Sequence, residues 1–322
     1  MIPYISFNDG DALCDWIDHC DAIYAGHKFP HGDIGDTFLY RGNDTLLSRA
    51  AYIDGMGVLV KAATINPGNP AKGKPMIHGA VTLFSDDTGE PEIFASLQGE
   101  GPSMGVPVAF LRLSRCNLAC VWCDTAYTWH FAGDERPHRD GVEFDRKANQ
   151  LTLEEEEVAA RITALGQKRL VITGGEPLLQ APALARLLGH LPDVTVEIET
   201  NGTTKASPAL DIRIDQFNVS PKLAHSGNPA DLALIPERLD AYATDPRAWF
   251  KFVIAEPADV DEVLALRDRY RFRPGHVFLM AEGTDSETLR EREKWLAPLC
   301  VRHGFRLSDR LHIHLFGDTR AT

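Results

Sequence analysis

The sequence predicts an α/β protein: a partial (β/α)6 barrel preceded by a small, β-rich α+β domain. Three observations carry this. After Glu92, short apolar runs of strand character alternate with stretches of helical period to the C-terminus, the pattern of a parallel sheet covered by helices. About six such strands are too few for a closed eight-fold barrel, so the sheet should stay open on one side. Before Glu92, strand-like runs follow one another, broken by Gly, Asn and Pro, so residues 1–92 and 93–322 read as two domains.

In order, DALCDWIDHCDAIYAG has apolar residues at helical spacing behind Asp11, a fair N-cap. The runs DTFLY, TLLSRAAYI, GVLVKAATI and GAVTLF then read as strands. PVAFLRL is a strand that leads straight into a cysteine-rich loop. Residues 126–152 are polar and aromatic without clear period and read as an insertion. LTLEEEEVAARITAL follows as a helix with Thr152 as N-cap; the acidic run Glu154–Glu157 sits where a helix dipole favours it. RLVITGGEP, VTVEIETNGT, IDQFNVSPK, WFKFVIA, HVFLMAEG and LHIHLF read as the later strands. Helices QAPALARLLGHL, VDEVLALRDRY and ETLREREKWLAPLCVRHG lie among them.

The 322 residues are 44 % hydrophobic and 25 % charged, ordinary for a globular protein with a full core. A net charge of −13 argues against a general nucleic-acid or anionic-membrane surface, while leaving room for a small basic pocket. No run approaches the ~20 apolar residues of a membrane span, and the start lacks the basic and apolar regions of a signal peptide. Free thiols suit a reducing compartment, so a cytoplasmic location is expected. Cys14, Cys20 and Cys300 are scattered and read as small buried hydrophobes.

The chemistry concentrates in LQGEGPSMGVPVAFLRLSRCNLACVWCDT, residues 97–125. Cys116, Cys120 and Cys123 are spaced C-x3-C-x2-C. Three thiols leave one over in a disulfide scheme and fall short of the four ligands of closed structural zinc. They suit a 4Fe–4S cluster whose fourth iron stays open. Four strand ends downstream carry polar or glycine-rich turns. Among them are Ile172–Pro177 with Gly174, Gly175 and Glu176; Glu199–Thr203 with Asn201; and Ser220–Lys222. Barrel sites gather at such ends.

The cysteine spacing, with Trp122 at the aromatic position, resembles the signature of radical S-adenosylmethionine (SAM) enzymes, in which the open iron chelates SAM. That resemblance implies that GGEP receives the methionyl ammonium, through Glu176 or the carbonyls of Gly174 and Gly175. It also implies that Glu199, Asn201, Ser220 and Lys222 contact SAM or substrate. QGEG upstream, CDT at the third cysteine, then ITGGEP, ETNGT, VSPK, LMAEG and the terminal LHIHLFGDTR together resemble the 7-carboxy-7-deazaguanine synthase family over residues 93–322 apart from the 126–152 insertion. The activity implied is rearrangement of 6-carboxy-5,6,7,8-tetrahydropterin with loss of ammonia, a step towards deazapurines such as queuosine. The 5′-deoxyadenosyl radical would take hydrogen from C6 and return it, regenerating SAM. By the same resemblance Gln98 and Glu100 face the pterin edge and Arg112 pairs with the substrate carboxylate. Thr125 offers a hydroxyl to Mg2+, and Asp124 holds the loop. An external electron donor of flavodoxin or ferredoxin type is implied. Two departures stand out: Arg115 occupies a position where that family often has glycine, and the ending GDTRAT follows the family only loosely.

The N-terminal passage, through VKAATINPGNPAKGKP, resembles the N-terminal domain of the ornithine cyclodeaminase and μ-crystallin family. Arg49 and Lys61 match residues that hold an amino-acid carboxylate there. That chemistry needs a nicotinamide cofactor, and no G-x-G-x-x-G follows a strand in this chain. The domain is therefore expected to serve dimerisation or packing, giving a homodimer, with a residual small-molecule site as the sharper alternative. The rival readings are a radical SAM enzyme acting on another, amino-acid-like substrate, a scaffold with a vestigial cluster, and an NAD-dependent deaminase.

Overall fold

The structure, a computed structural model, describes residues 93–321 throughout. Before them it describes four strands together with Pro67, Gly68 and Lys72. The helix expected after Asp11, with Cys14 and Cys20, lies outside the described residues. The chain divides into two compact units, residues 2–89 and 90–322.

In the first unit the four strands form an antiparallel meander: β1 (Gly35–Arg41), β2 (Asp44–Ile53), β3 (Gly57–Ile65) and β4 (Ile77–Phe84), in sheet order β1-β2-β3-β4. All four correspond to the runs expected from the sequence. Arg49 and Lys61 are register partners across β2 and β3.

The second unit holds an eight-stranded sheet. Its strands are β5 (Ile93–Leu97), β6 (Pro107–Leu113), β7 (Arg169–Gly174), β8 (Thr195–Thr200), β9 (Gln216–Val219), β10 (Ala248–Ile254), β11 (Val277–Ala281) and β12 (Arg306–Ser308). They lie side by side in chain order. β5 runs antiparallel to β6, and every later pairing is parallel. The barrel thus has six full parallel strands, β6 to β11, with an antiparallel strand and a three-residue strand at its edges. Phe94 of β5 and Met280 of β11 line one cavity, so the sheet curls round to bring its two ends to the same space.

Strand alternation sorts the residues. Leu111, Leu170, Ile172, Val196, Ile198, Phe217, Val219, Phe250, Phe252, Ile254 and Leu279 share one large core cluster with the covering helices. Those helices include α1 (Glu155–Ala164), α2 (Ala181–Gly189), α3 (Pro236–Thr244), α4 (Pro257–Tyr270) and α5 (Ser286–His303). The intervening residues Arg112, Thr173, Glu199, Asn218 and Lys251 line the cavity on the other face. A polar inner face is unusual for a barrel, whose interior is normally packed with branched apolar side chains. It turns this interior into a site.

Two elements differ from expectation. The helix after the insertion begins with Glu154 as its N-cap rather than Thr152, and Glu155, Glu156 and Glu157 fill its first turn. LHIHLF forms a helix, α6 (Leu311–Phe316), and the last strand is the shorter RLS before it. The alternating His and Ile mimic a strand period, but Ile313 alone is buried and Gly317 closes the helix at positive φ.

Candidate active site

β6 ends in the cysteine loop, and that loop is clamped to the end of β7 by backbone. Gly175 N donates to Leu113 O at 2.9 Å, and Glu176 N donates to Arg115 O at 2.8 Å. Both glycines are dictated by this approach. A Cβ on Gly174 would lie 1.9 Å from Leu113 O, and one on Gly175 would lie 2.1 Å from Arg115 O. Arg115 has φ 80°, in the left-handed region that favours glycine. The residue where the sequence departs from its resemblance is thus one whose backbone a glycine would satisfy at lower cost.

Cys116, Cys120 and Cys123 are all free thiols lining the cavity. Burial pushes Cys116 up to about 12 and Cys120 to about 11, so a bound cation is what would make thiolates of them near neutrality. Each sulfur is met by a side-chain N–H: Asn201 Nδ2 at 3.9 Å from Cys116, Asn228 Nδ2 at 3.3 Å from Cys120, and Trp129 Nε1 at 3.4 Å from Cys123. Three free thiols on one loop, with donors aimed at them and an open cavity beyond, fit an iron–sulfur cluster with one open position.

The remaining residues expected from the sequence converge on the same cavity: Gln98, Glu100, Arg112, Trp122, Thr125, Gly174, Gly175, Glu199, Asn201, Ser220 and Lys222. Trp122 stacks on His225 with centroids 5.4 Å apart, and Lys222 Nζ sits 5.7 Å from the Trp122 ring centroid while donating to Ser220 Oγ at 2.9 Å. Phe110 shares the inward face with Arg112 and stacks on Phe94 at 4.9 Å. Glu199 accepts from Gln98 Nε2 (3.1 Å) and Thr173 Oγ1 (2.7 Å). Thr125 Oγ1 lies 3.6 Å from Cys123 Sγ.

Glu176 is the correction. It is fully buried and does not line the cavity. Its carboxylate accepts from Leu178 N (3.0 Å), Asn201 N (2.7 Å) and Thr200 Oγ1 (2.9 Å). It ties the GGEP turn to the ETNGT turn, so its carboxylate is engaged away from the cavity in which a ligand ammonium was expected to meet it. Burial pushes its carboxyl up to about 7 against the opposing effect of these hydrogen bonds.

The same cavity holds a charge network that the motifs alone do not reveal. Glu100 is ion-paired with Lys251 and with Arg310, whose Nε lies 3.1 Å away. Arg310 also pairs with Asp124. Burial alone would raise the Glu100 carboxyl, but the Lys251 and Arg310 charges hold it well below the usual range. Asp124 is likewise held down, its burial outweighed by Arg310, with Arg112 adding to the effect. Burial first, with Arg310 adding to it and Glu100 opposing, lowers the His312 imidazole below its ordinary value. Lys251 had a signal, a charge inside the apolar run WFKFVIA. Arg310 and His312 had none that ties them to QGEG. Yet a Cβ on Gly99 would lie 2.1 Å from His312 Nδ1, so that glycine leaves room for the imidazole.

The expected insertion also belongs to the site. Trp129 lines the cavity, His138 Nε2 lies 2.8 Å from Cys123 O, and Arg139 N donates to Val121 O. The C-terminal Thr319, Arg320 and Ala321 line it too, with the Arg320 guanidinium 3.7 Å from the Tyr127 ring centroid.

The Radical SAM superfamily model matches residues 111–226, which span the cysteine loop and the three turns. The chain is 40 % identical over 233 residues to the 7-carboxy-7-deazaguanine synthase of Pyrobaculum aerophilum, covering 71 % of this chain and 95 % of that one. It is 34 % identical to the enzyme of the same name from Hyperthermus butylicus over 69 % of this chain and 90 % of the relative. For the one from Halobacterium salinarum, identity is 32 % over 72 % of this chain and 91 % of the relative. With the three thiols and the polar strand ends in one cavity, these likenesses make the chain a radical SAM enzyme of the 7-carboxy-7-deazaguanine synthase family.

Proposed function

We propose that this chain converts 6-carboxy-5,6,7,8-tetrahydropterin to 7-carboxy-7-deazaguanine with loss of ammonia. The observation that carries the reading is the meeting of Cys116, Cys120 and Cys123 with Arg112 and Glu100 in one cavity. The three cysteines would ligate a 4Fe–4S cluster, and Gly174, Gly175, Asn201 and Ser220 would hold SAM against it. When bound, that pair supplies a hydrogen-abstracting 5′-deoxyadenosyl radical; the protein supplies binding, orientation and shelter.

Arg112 presents a planar fork suited to the substrate carboxylate, which would hold C6 in place. Lys222 is a second cation on the same cavity. Glu100, fixed and ionised by Lys251 and Arg310, can only accept hydrogen bonds, which suits the N–H-rich edge of an aminopyrimidine. Gln98 braces it, its Oε1 accepting from Glu100 N at 3.3 Å. The stacked Phe94 and Phe110 offer an aromatic wall. Thr125 at the cavity edge is the oxygen donor for Mg2+, which takes few protein ligands. A flavodoxin- or ferredoxin-type donor in the cytoplasm would supply the electron. The N-terminal unit would be a cyclodeaminase-like domain serving homodimerisation.

The test is anaerobic reconstitution followed by mass spectrometry with SAM, Mg2+ and the tetrahydropterin. Arg112→Ala should lose roughly two to three decades of substrate binding, the ~3–5 kcal/mol of an unpaired buried charge, while slow uncoupled SAM cleavage persists. Near-normal conversion by Arg112→Ala would move the carboxylate clamp to Lys222.

A further inference from the structure

Segment 126–152 does more than fill space beside the cysteine loop. Its Trp129 is 4 % exposed and donates Nε1–H to Cys123 Sγ at 3.4 Å. The indole is held from several sides. The Arg136 guanidinium lies 4.7 Å from its ring centroid, His138 meets it edge-on at 6.3 Å, and His130 packs at 5.0 Å. His138 in turn reaches the Cys123 carbonyl, so ring and cysteine are fixed to each other. A buried indole N–H needs a partner, and the sulfur is the one it has among the described residues.

An N–H aimed at a ligand sulfur stabilises negative charge there. A cluster gains negative charge when reduced, so such a donor favours the reduced state and raises the potential. We propose that Trp129 is a positioning residue that sets the reduction potential of the cluster through this hydrogen bond to Cys123. The proposal rests on the reading of Cys116, Cys120 and Cys123 as cluster ligands. Asn228 is a poorer probe of the same effect, because its Oδ1 also accepts from Ala119 N at 2.8 Å and holds the loop.

The experiment compares full-length, anaerobically reconstituted wild type with Trp129→Phe, which keeps an apolar ring and removes the N–H. Iron content and thiolate-to-iron absorption should be equal in the two. A reductive titration followed by electron paramagnetic resonance should place the variant's midpoint below the wild type's. SAM cleavage should fall several-fold with a reductant poised near the wild-type midpoint and recover with excess strong reductant. An unchanged midpoint at full iron content overturns the proposal. Should the variant fail to take up iron, Trp122→Phe labelled with 15N in its indoles reads the same contact, because it leaves Trp129 as the indole beside Cys123 among the described residues. A nitrogen coupling to the reduced cluster upholds the assignment, and its absence overturns it. Wild type that takes up no iron at all would instead sink the cluster reading itself.

Discussion

The two walls of the cavity are built in different ways. The cysteine wall is backbone work: the ends of β6 and β7 run side by side within hydrogen-bonding distance, glycines let the following turns approach, and Glu176 ties neighbouring turns together. The charged part is side-chain work: Glu100, Asp124, Lys251 and the neighbouring Arg310 and His312 come from four separate places in the chain, and the first three are joined to Arg310 or to each other by charge. A wall made of backbone is specified by short motifs. A wall made of ion pairs is specified only when distant segments meet, and removing one member leaves a buried partner short of opposite charge.

The largest expected break is therefore in the charged wall. Arg310→Ala takes the partner from the more exposed Asp124 and leaves Glu100 with Lys251 alone, so it should cost ~3 kcal/mol, the lower end for breaking a buried pair, read as a lower thermal or denaturant midpoint. Loss of well under about 1 kcal/mol would mean the wall is held by packing instead. In the cysteine wall, Glu176→Gln puts an amide N–H where only acceptors fit. One buried donor then loses its acceptor, a cost of about 1–3 kcal/mol, with cluster content per folded protein preserved. Equal stability of this variant would remove Glu176 as the tie between the turns.

A smaller effect has the opposite sign. Arg115→Gly should stabilise by up to about 1 kcal/mol, because glycine occupies φ 80° without steric cost and the backbone bonds of residue 115 are kept. Denaturant titration reads it, and destabilisation would show that the Arg115 side chain matters more than its backbone. The smallest concerns Glu293 on α5. Burial, then the neighbouring Asp309, raises the Glu293 carboxyl to about 7, above its ordinary 4.5. As pH rises between those values, the unfolded chain releases the proton while the folded chain keeps it, so stability falls across that window. Glu293→Gln should therefore match wild type near pH 4 and exceed it near pH 8, by under about 1 kcal/mol because the site is solvent-screened. A gap independent of pH would exclude this titration as its source.

Most of the fold was legible because strand runs and helical periods are local. The misreadings were local too: a three-residue strand carries almost no period, and alternating His and Ile in LHIHLF imitated one. Cys116, Cys120, Cys123, Gly174, Gly175 and Asn201 were legible because contiguous turns deliver them. Glu176 was legible as a residue of importance but not in its direction, since whether a carboxylate at a strand end faces the cavity or the next turn depends on the neighbouring strand.

By itself the sequence determined the order of strands and helices, the cysteine loop, the turns at the strand ends and, through them, the family. Tertiary structure alone decided that Arg310 and Lys251 meet Glu100, that His312 fills the space Gly99 leaves, and that Trp129 of an apparent insertion donates to Cys123. The reason is physical. A motif encodes backbone conformation within a few residues, whereas an ion pair or an N–H to sulfur contact forms between residues whose proximity only the curled sheet creates.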